Sequence, residues 1–265
     1  MTHRCAQLLR RLTQMRVMTS ALMAALLLTA LPLRAAEVQV AVAANFAAPL
    51  NAIAQRFAQQ TGHRVNASVG STGKLAAHIR NGAPYEVLLA ADAQTPQQLV
   101  QAGLGVANTT FPYAYGQLVL WSRLPGQVDG TDRVLRNGTF NKLALADPKL
   151  APYGAAAQQT LKALGLLGAL RPRWVLGTSV GQAHQFVASG NAELGFVALS
   201  QVWAKGQFTS GSGWIVPAAL HDPIEQQAVL LHKGANNPAA MALLQFLKQP
   251  NTQALIRSFG YNTQP

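Results

Sequence analysis

Hydrophobic and polar positions along this chain alternate between two periods. Val38-Gln39-Val40-Ala41-Val42-Ala43-Ala44 is a nearly unbroken apolar run, the pattern of a buried strand. Phe46, Leu50, Ile53, Ala54 and Phe57 then fall on one helical face. Pro49 has no N–H and is tolerated only in a first turn, so this helix starts at Asn45 to Phe46. It ends at Thr61-Gly62. A strand over His63 to Val69, a helix over Lys74 to Arg80, a strand over Tyr85 to Ala90 and a helix over Pro96 to Ala102 follow. The pattern changes near residue 115, where Gln117 to Trp121 reads as a strand leading into a second lobe. Alternation resumes with a strand at Leu143 to Ala146, a helix at Gly154 to Leu164, a strand at Trp174 to Leu176 and a helix at Val180 to Ala188. Strands at Leu194 to Leu199 and Gln227 to Leu231, then helices at Pro238 to Lys248 and Thr252 to Phe259, close the chain. Strands alternating with helices through short turns predict an α/β fold, with mostly parallel sheets flanked by helices.

The first residues follow a different logic. Met1 to Arg16 carries four arginines and no acid, and Val17 to Leu31 is an apolar run too short to span a bilayer. Small residues follow at Ala35-Ala36. These are the parts of a secretory signal peptide over residues 1–36, with cleavage after Ala36. The compartment this predicts is the periplasm. The single cysteine, Cys5, leaves with that segment, so the mature chain has no disulfide and no cysteine metal site.

Charge changes the picture only slightly. Taking away the five arginines of residues 1–36 leaves 16 basic and 9 acidic residues, net +7. The basic residues are scattered singly, without runs or interleaved aromatics. That is a mild attraction for small anions, not a nucleic-acid footprint.

In parallel α/β sheets, ligands sit at the carboxyl ends of strands, where helices begin. Four strand-to-helix turns are candidates: Ala43-Ala44-Asn45-Phe46, Val69-Gly70-Ser71-Thr72-Gly73, Ala151-Pro152-Tyr153-Gly154 and Gly177-Thr178-Ser179-Val180-Gly181. None contains Asp, Glu, Arg or His. Each helix start offers unpaired N–H groups and a partial positive charge, which suits an anion. Neutral donors suit one that is fully deprotonated; a phosphate keeps a proton at neutral pH and needs an acceptor such as Asp. Taken singly, Asn45, Ser71 and Thr72 are also ordinary helix caps. The histidines show no metal spacing. Ser71-Thr72-Gly73-Lys74 matches the Ser-x-x-Lys of acyl enzymes, but its Ser-Asp-Asn and Lys-Thr-Gly partners are missing.

Eight stretches, in order, carry a resemblance. They are Ala41 to Phe46, Gly70 to Gly73, Asn81 to Tyr85, Ala90 to Asp92, Asp147-Pro148, Ala151 to Gly154, Ser179 to His184 and Leu194 to Ala198. Together they resemble the periplasmic molybdate-binding proteins of ABC transporters over essentially all of residues 37–265. The resemblance implies a two-lobed venus-flytrap fold, with lobe 1 over 37–116 and 222–265 and lobe 2 over 117–221. It implies no enzyme and no cofactor, but a monomer that captures molybdate or tungstate and hands it to a transporter permease. The anion would be hydrogen-bonded rather than coordinated, by Asn45 with Ala44 beside it, by Thr72 with Ser71 beside it, by Tyr153 and by the backbone of Val180. Some members of the family have a ligand tyrosine where this chain has Ala198. Its loss fits a subgroup in which the Tyr153 hydroxyl serves instead. Sulfate, with the same charge and shape, is the alternative ligand. The turns lack the tyrosines and carboxylates of a ferric site and the arginine fork of an organic-acid site. A serine acyl-transfer hydrolase built on Ser71 and Lys74 is the rival class.

Overall fold

The computed structural model describes residues 35–137 and 140–263. The signal-peptide expectation therefore concerns residues that lie, but for Ala35 and Ala36, outside the described ones. Ala36–Pro265 forms one compact unit.

The chain enters with strand β1 (Glu37–Ala43), helix α1 (Ala47–Thr61), β2 (Arg64–Gly70), α2 (Thr72–Arg80), β3 (Val87–Leu89), α3 (Gln94–Gln101) and β4 (Phe111–Gly116). It crosses into β5 (Leu118–Ser122), α4 (Arg133–Asn137), β6 (Leu143–Ala146), α5 (Pro152–Ala163), α6 (Leu167–Leu170), β7 (Trp174–Gly177) and α7 (Val180–Ala188). Then come β8 (Leu194–Ala198), α8 (Leu199–Val202), β9 (Trp203–Ala204), β10 (Gln207–Phe208) and β11 (Ser212–Ile215). The return is β12 (Ile224–Leu230), α9 (Pro238–Leu247) and α10 (Pro250–Ser258).

Two five-stranded sheets result, ordered β2-β1-β3-β12-β4 and β11-β5-β8-β6-β7. In the first, β1 lies parallel to β2 and β3, while β12 runs antiparallel to β3 and β4. The second repeats this plan: β6 lies parallel to β7 and β8, and β5 runs antiparallel to β8 and β11. In each sheet one strand opposes the other four. This is a two-lobed α/β fold, each sheet flanked by helices.

The helices follow from their apolar spacing. Leu50, Ile53 and Phe57 of α1 are buried in one cluster with Val40, Val42, Leu89 and Leu243. Gly62 ends α1 in the left-handed region at φ 74°, with its N–H donating to the Ala58 carbonyl. On the other face of that sheet Leu75, Ile79 and Leu99 pack against Ala41 and Leu88. In the second lobe Tyr153, Ala157 and Leu161 of α5 pack on one face and Ala183 and Val187 of α7 on the other. The cluster around α5 also takes in Ala43 and Ala91 from the ends of β1 and β3, so apolar packing bridges the lobes.

The sequence pattern misses β4 and β11. Pro112 and Gly116 read as breakers in isolation. Yet β4 lies at a sheet edge, and Pro112 pairs with Gln227 beside a register shift in β12. An edge strand next to a bulge tolerates proline. The other strand, β11, is also an edge strand and contains Gly213. No described helix is long and apolar enough to cross a membrane.

Candidate functional site

Four helix starts converge on one cavity. Its walls are Ala43, Ala44 and Asn45 after β1; Gly70, Ser71 and Thr72 after β2; Ala91 after β3; Ala151, Pro152 and Tyr153 at the start of α5; and Val180 at the start of α7. Every residue expected to hold the ligand, from Ala44 to Val180, is among them. The cavity holds about 10 Å³, against about 460 to 590 Å³ for the open clefts elsewhere on the surface. Organic ligands usually occupy some 300–1,000 Å³. The cavity is far too small for an organic ligand.

No wall residue is an acid, a base or a histidine. By position, the first-turn N–H groups of Thr72, Tyr153 and Val180 have no intrahelical acceptor. Pro152 contributes no N–H, so the Tyr153 N–H is the first that α5 can offer. Their dipoles place partial positive charge at the point of convergence.

The two hydroxyls of the second turn differ. Thr72 Oγ1 accepts a hydrogen bond from the Ala91 N–H at 3.0 Å, which ties the start of α2 to the end of β3. Ser71 Oγ is buried, with Ser71 only 3 % exposed, and has no protein partner. A buried polar group is normally hydrogen-bonded, and an orphan needs an explanation. An anion in the cavity beside it supplies one. No base is bonded to that hydroxyl, so the geometry of an activated nucleophile is missing at Ser71.

Asn45 acts differently from a simple donor. Both hydrogens of its amide are committed, to Gln226 Oε1 at 2.7 Å and to the Tyr261 oxygen at 2.9 Å. Its carbonyl accepts from Ser200 Oγ at 2.7 Å and from the Tyr261 hydroxyl at 2.8 Å. Tyr113 reaches the Ala90 carbonyl and Gln226 at 3.2 and 3.5 Å. This network clamps the peptide at Asn45, which lines the cavity.

Tyr153 joins the same network. Its side chain is buried, with its hydroxyl near Tyr261 and a methyl on Gly116 excluded by the phenol oxygen. Neither Tyr261 nor Gly116 lines the cavity. The phenol oxygen is thus within reach of residues outside the cavity wall, whereas the helix start at Tyr153 belongs to that wall. Burial pushes the Tyr153 and Tyr113 hydroxyls well above the usual tyrosine range and raises Tyr261 as well. At position 198, Ala198 is fully buried at the end of β8, and its N–H is held by Gln201 Oε1 at 3.0 Å.

Sequence reading overlooked this support. Gln226, fully buried within a strand, is the signal it could have used.

Two lobes closed over a charge-free pocket of helix starts define a solute-binding protein for a small anion. The chain belongs to the bacterial extracellular solute-binding proteins, whose family model matches residues 38–262. It is 55 % identical over 231 residues to a molybdate-binding protein ModA of Azotobacter vinelandii, covering 87 % of this chain and 92 % of that one. A ModA of Rhodobacter capsulatus is 47 % identical over 235 residues, covering 89 % and 92 %. The solved structure of an Azotobacter vinelandii periplasmic molybdate-binding protein superposes with a TM-score of 0.83 at 42 % identity, covering 86 % of this chain and all of that one.

Proposed function

We propose that this chain is a periplasmic molybdate- or tungstate-binding protein that delivers its anion to the permease of an ABC transporter. One observation carries the reading: the buried, unpartnered Ser71 hydroxyl stands in a small cavity walled by helix starts and without an acid, a base or a histidine. Such a site stabilises a dianion through neutral donors and offers no carboxylate to accept the proton of a phosphate. The relatives above support molybdate over sulfate as its occupant. The binding set proposed is the Ser71 hydroxyl with the backbone N–H groups of Ala44, Asn45, Thr72, Tyr153 and Val180. Lobe 1 comprises residues 37–116 and 222–265, and lobe 2 residues 117–221. The mature chain acts as a monomer, without a cofactor and without catalysis.

Calorimetric titration of residues 37–265 with molybdate, tungstate, sulfate and phosphate tests this. Tight binding of the first two, with sulfate and phosphate far weaker, is the expected result. At a hundredfold excess over the dissociation constant the ligand should stabilise the fold by about 2.7 kcal/mol. Sulfate binding as tightly as molybdate would move the assignment to sulfate. Serine-dependent turnover of a chromogenic ester would instead favour the hydrolase.

A further inference from the structure

Three helices that aim their first turns at the cavity carry a glycine there: Gly73 in α2, Gly154 in α5 and Gly181 in α7. Inside a helix, glycine is disfavoured relative to alanine because it loses more backbone freedom on folding. Each position therefore needs a reason. For Gly154 the reason lies within its own lobe: a Cβ would collide with the carbonyl of Ala146, the last residue of β6.

For the other two the reason lies across the cleft. The Gly73 N–H donates to the Leu150 carbonyl at 3.0 Å. A Cβ on Gly73 would stand 3.0 Å from that oxygen and 3.3 Å from Leu150 Cα. A Cβ on Gly181 would stand 3.3 Å from the Cβ of Ala44. Gly73 and Ala44 follow strands of the first sheet, whereas Leu150 and Gly181 follow strands of the second. Neither glycine lines the anion cavity. Each lines an open cleft beside it: Gly73 with Leu150 on one side, Gly181 with Ala44 on the other. These clefts share walls with the cavity, at Ala151 and Pro152 in the first case and at Ala44 and Asn45 in the second.

We propose that the Gly73–Leu150 and Gly181–Ala44 contacts are the two seals of the cavity, and that Gly73 and Gly181 lack side chains so that the lobes can close. Their role is positioning: neither touches the anion, and both set the fraction of molecules closed around it. The apparent affinity scales with that fraction. A Cβ at Gly73 pushes on the Leu150 backbone and opposes closure, yet favours the helix it sits in. Affinity and ligand-free stability should therefore move in opposite directions, which a packing glycine would not do.

The proposal rests on the oxyanion reading of the cavity, and the test separates the two. Wild type, Gly73→Ala, Gly73→Val and Gly181→Ala are titrated with molybdate, and their ligand-free melting temperatures are measured. Gly73→Ala is expected to bind about tenfold more weakly, as for a closed fraction cut to about a tenth, with a ligand-free melting temperature no lower than wild type. Gly73→Val should bind more weakly still, and Gly181→Ala should lose less. Small-angle scattering should give molybdate-loaded Gly73→Val a larger radius of gyration than loaded wild type. Wild-type affinity in both Gly73→Val and Gly181→Ala overturns the seals. So does a fall in ligand-free stability that tracks the loss of affinity. If wild type ignores molybdate but binds sulfate or phosphate, the oxyanion assignment changes, and the same variants titrated with that ion decide the seals.

Discussion

The two lobes repeat one sheet plan but meet the ion with different chemistry. Lobe 1 brings polar side chains: the amide of Asn45 and the hydroxyls of Ser71 and Thr72. Lobe 2 brings Pro152 and, from its apolar core, Ala151, Tyr153 and Val180. From that lobe the donors proposed for the ion are backbone N–H groups. The difference shows that a helix start needs no polar side chain to serve an anion; convergence and exclusion of water suffice. It also assigns the work within lobe 1, because two of its three polar side chains are already engaged. Asn45 has both amide hydrogens on Gln226 and Tyr261, whereas Thr72 accepts from Ala91 and keeps its own O–H to donate. Ser71 Oγ has no protein partner at all.

The largest effect should come from breaking the clamp. Asn45→Ala leaves Gln226 Oε1 and Tyr261 short of a buried partner each. A cost of about 2–4 kcal/mol in ligand-free stability is expected from two such groups, read by urea denaturation, with affinity lost as well. A variant as stable as wild type would mean that the network carries no strain when cut.

Next comes Ser71→Ala, which sharpens the contrast between side chain and backbone. One hydrogen bond to a charged group is worth about 1.5–3 kcal/mol, or roughly ten- to a hundredfold in molybdate affinity. The ligand-free melting temperature should not fall, because the hydroxyl has no protein partner to lose. Thr72→Val should lose stability through Ala91, whose N–H is left without its acceptor.

Tyr153→Phe tests the backbone half. The phenol lies near Tyr261 and Gly116, neither of which lines the cavity, so stability should drop by about 1 kcal/mol and affinity by less than about threefold. A tenfold loss of affinity at unchanged stability would place the hydroxyl on the ion, as the missing tyrosine at position 198 first suggests.

The smallest effect is that of pH. Buried Tyr113, Tyr153 and Tyr261 have raised values, so they stay neutral, and the stability they contribute is lost only as pH climbs through those values. Affinity should vary by less than about twofold between about pH 6 and 8. His184, stacked on Trp121 outside the cavity wall, is the contrast. Burial lowers its value below the usual 6.5. The stability its neutral form contributes is present above that value and lost as pH falls through the lowered one. Acid should thus lower the ligand-free melting temperature before it changes affinity.

The sequence alone determined the alternation of strands and helices, the two lobes and the four turns. Buried strands such as Leu143–Ala146 and helices such as Val180–Ala188 have local, periodic signatures that long-range packing reinforces. It also determined that the turns hold no charge. Tertiary structure decided what lies between distant segments. Proline and glycine hid β4 until its pairing with β12, more than a hundred residues on, was in view. Ser71 and Thr72 are neighbours with the same functional group, and only Ala91, folded back from the next strand, distinguishes the hydroxyl that accepts a protein hydrogen bond from the one that has no partner. Tyr153 carries a hydroxyl in the sequence, but its direction is set by the space above Gly116 and by Tyr261 near the far end of the chain. A pattern of residues records which groups exist; which of them remain unpaired depends on every other segment that reaches the same few ångströms.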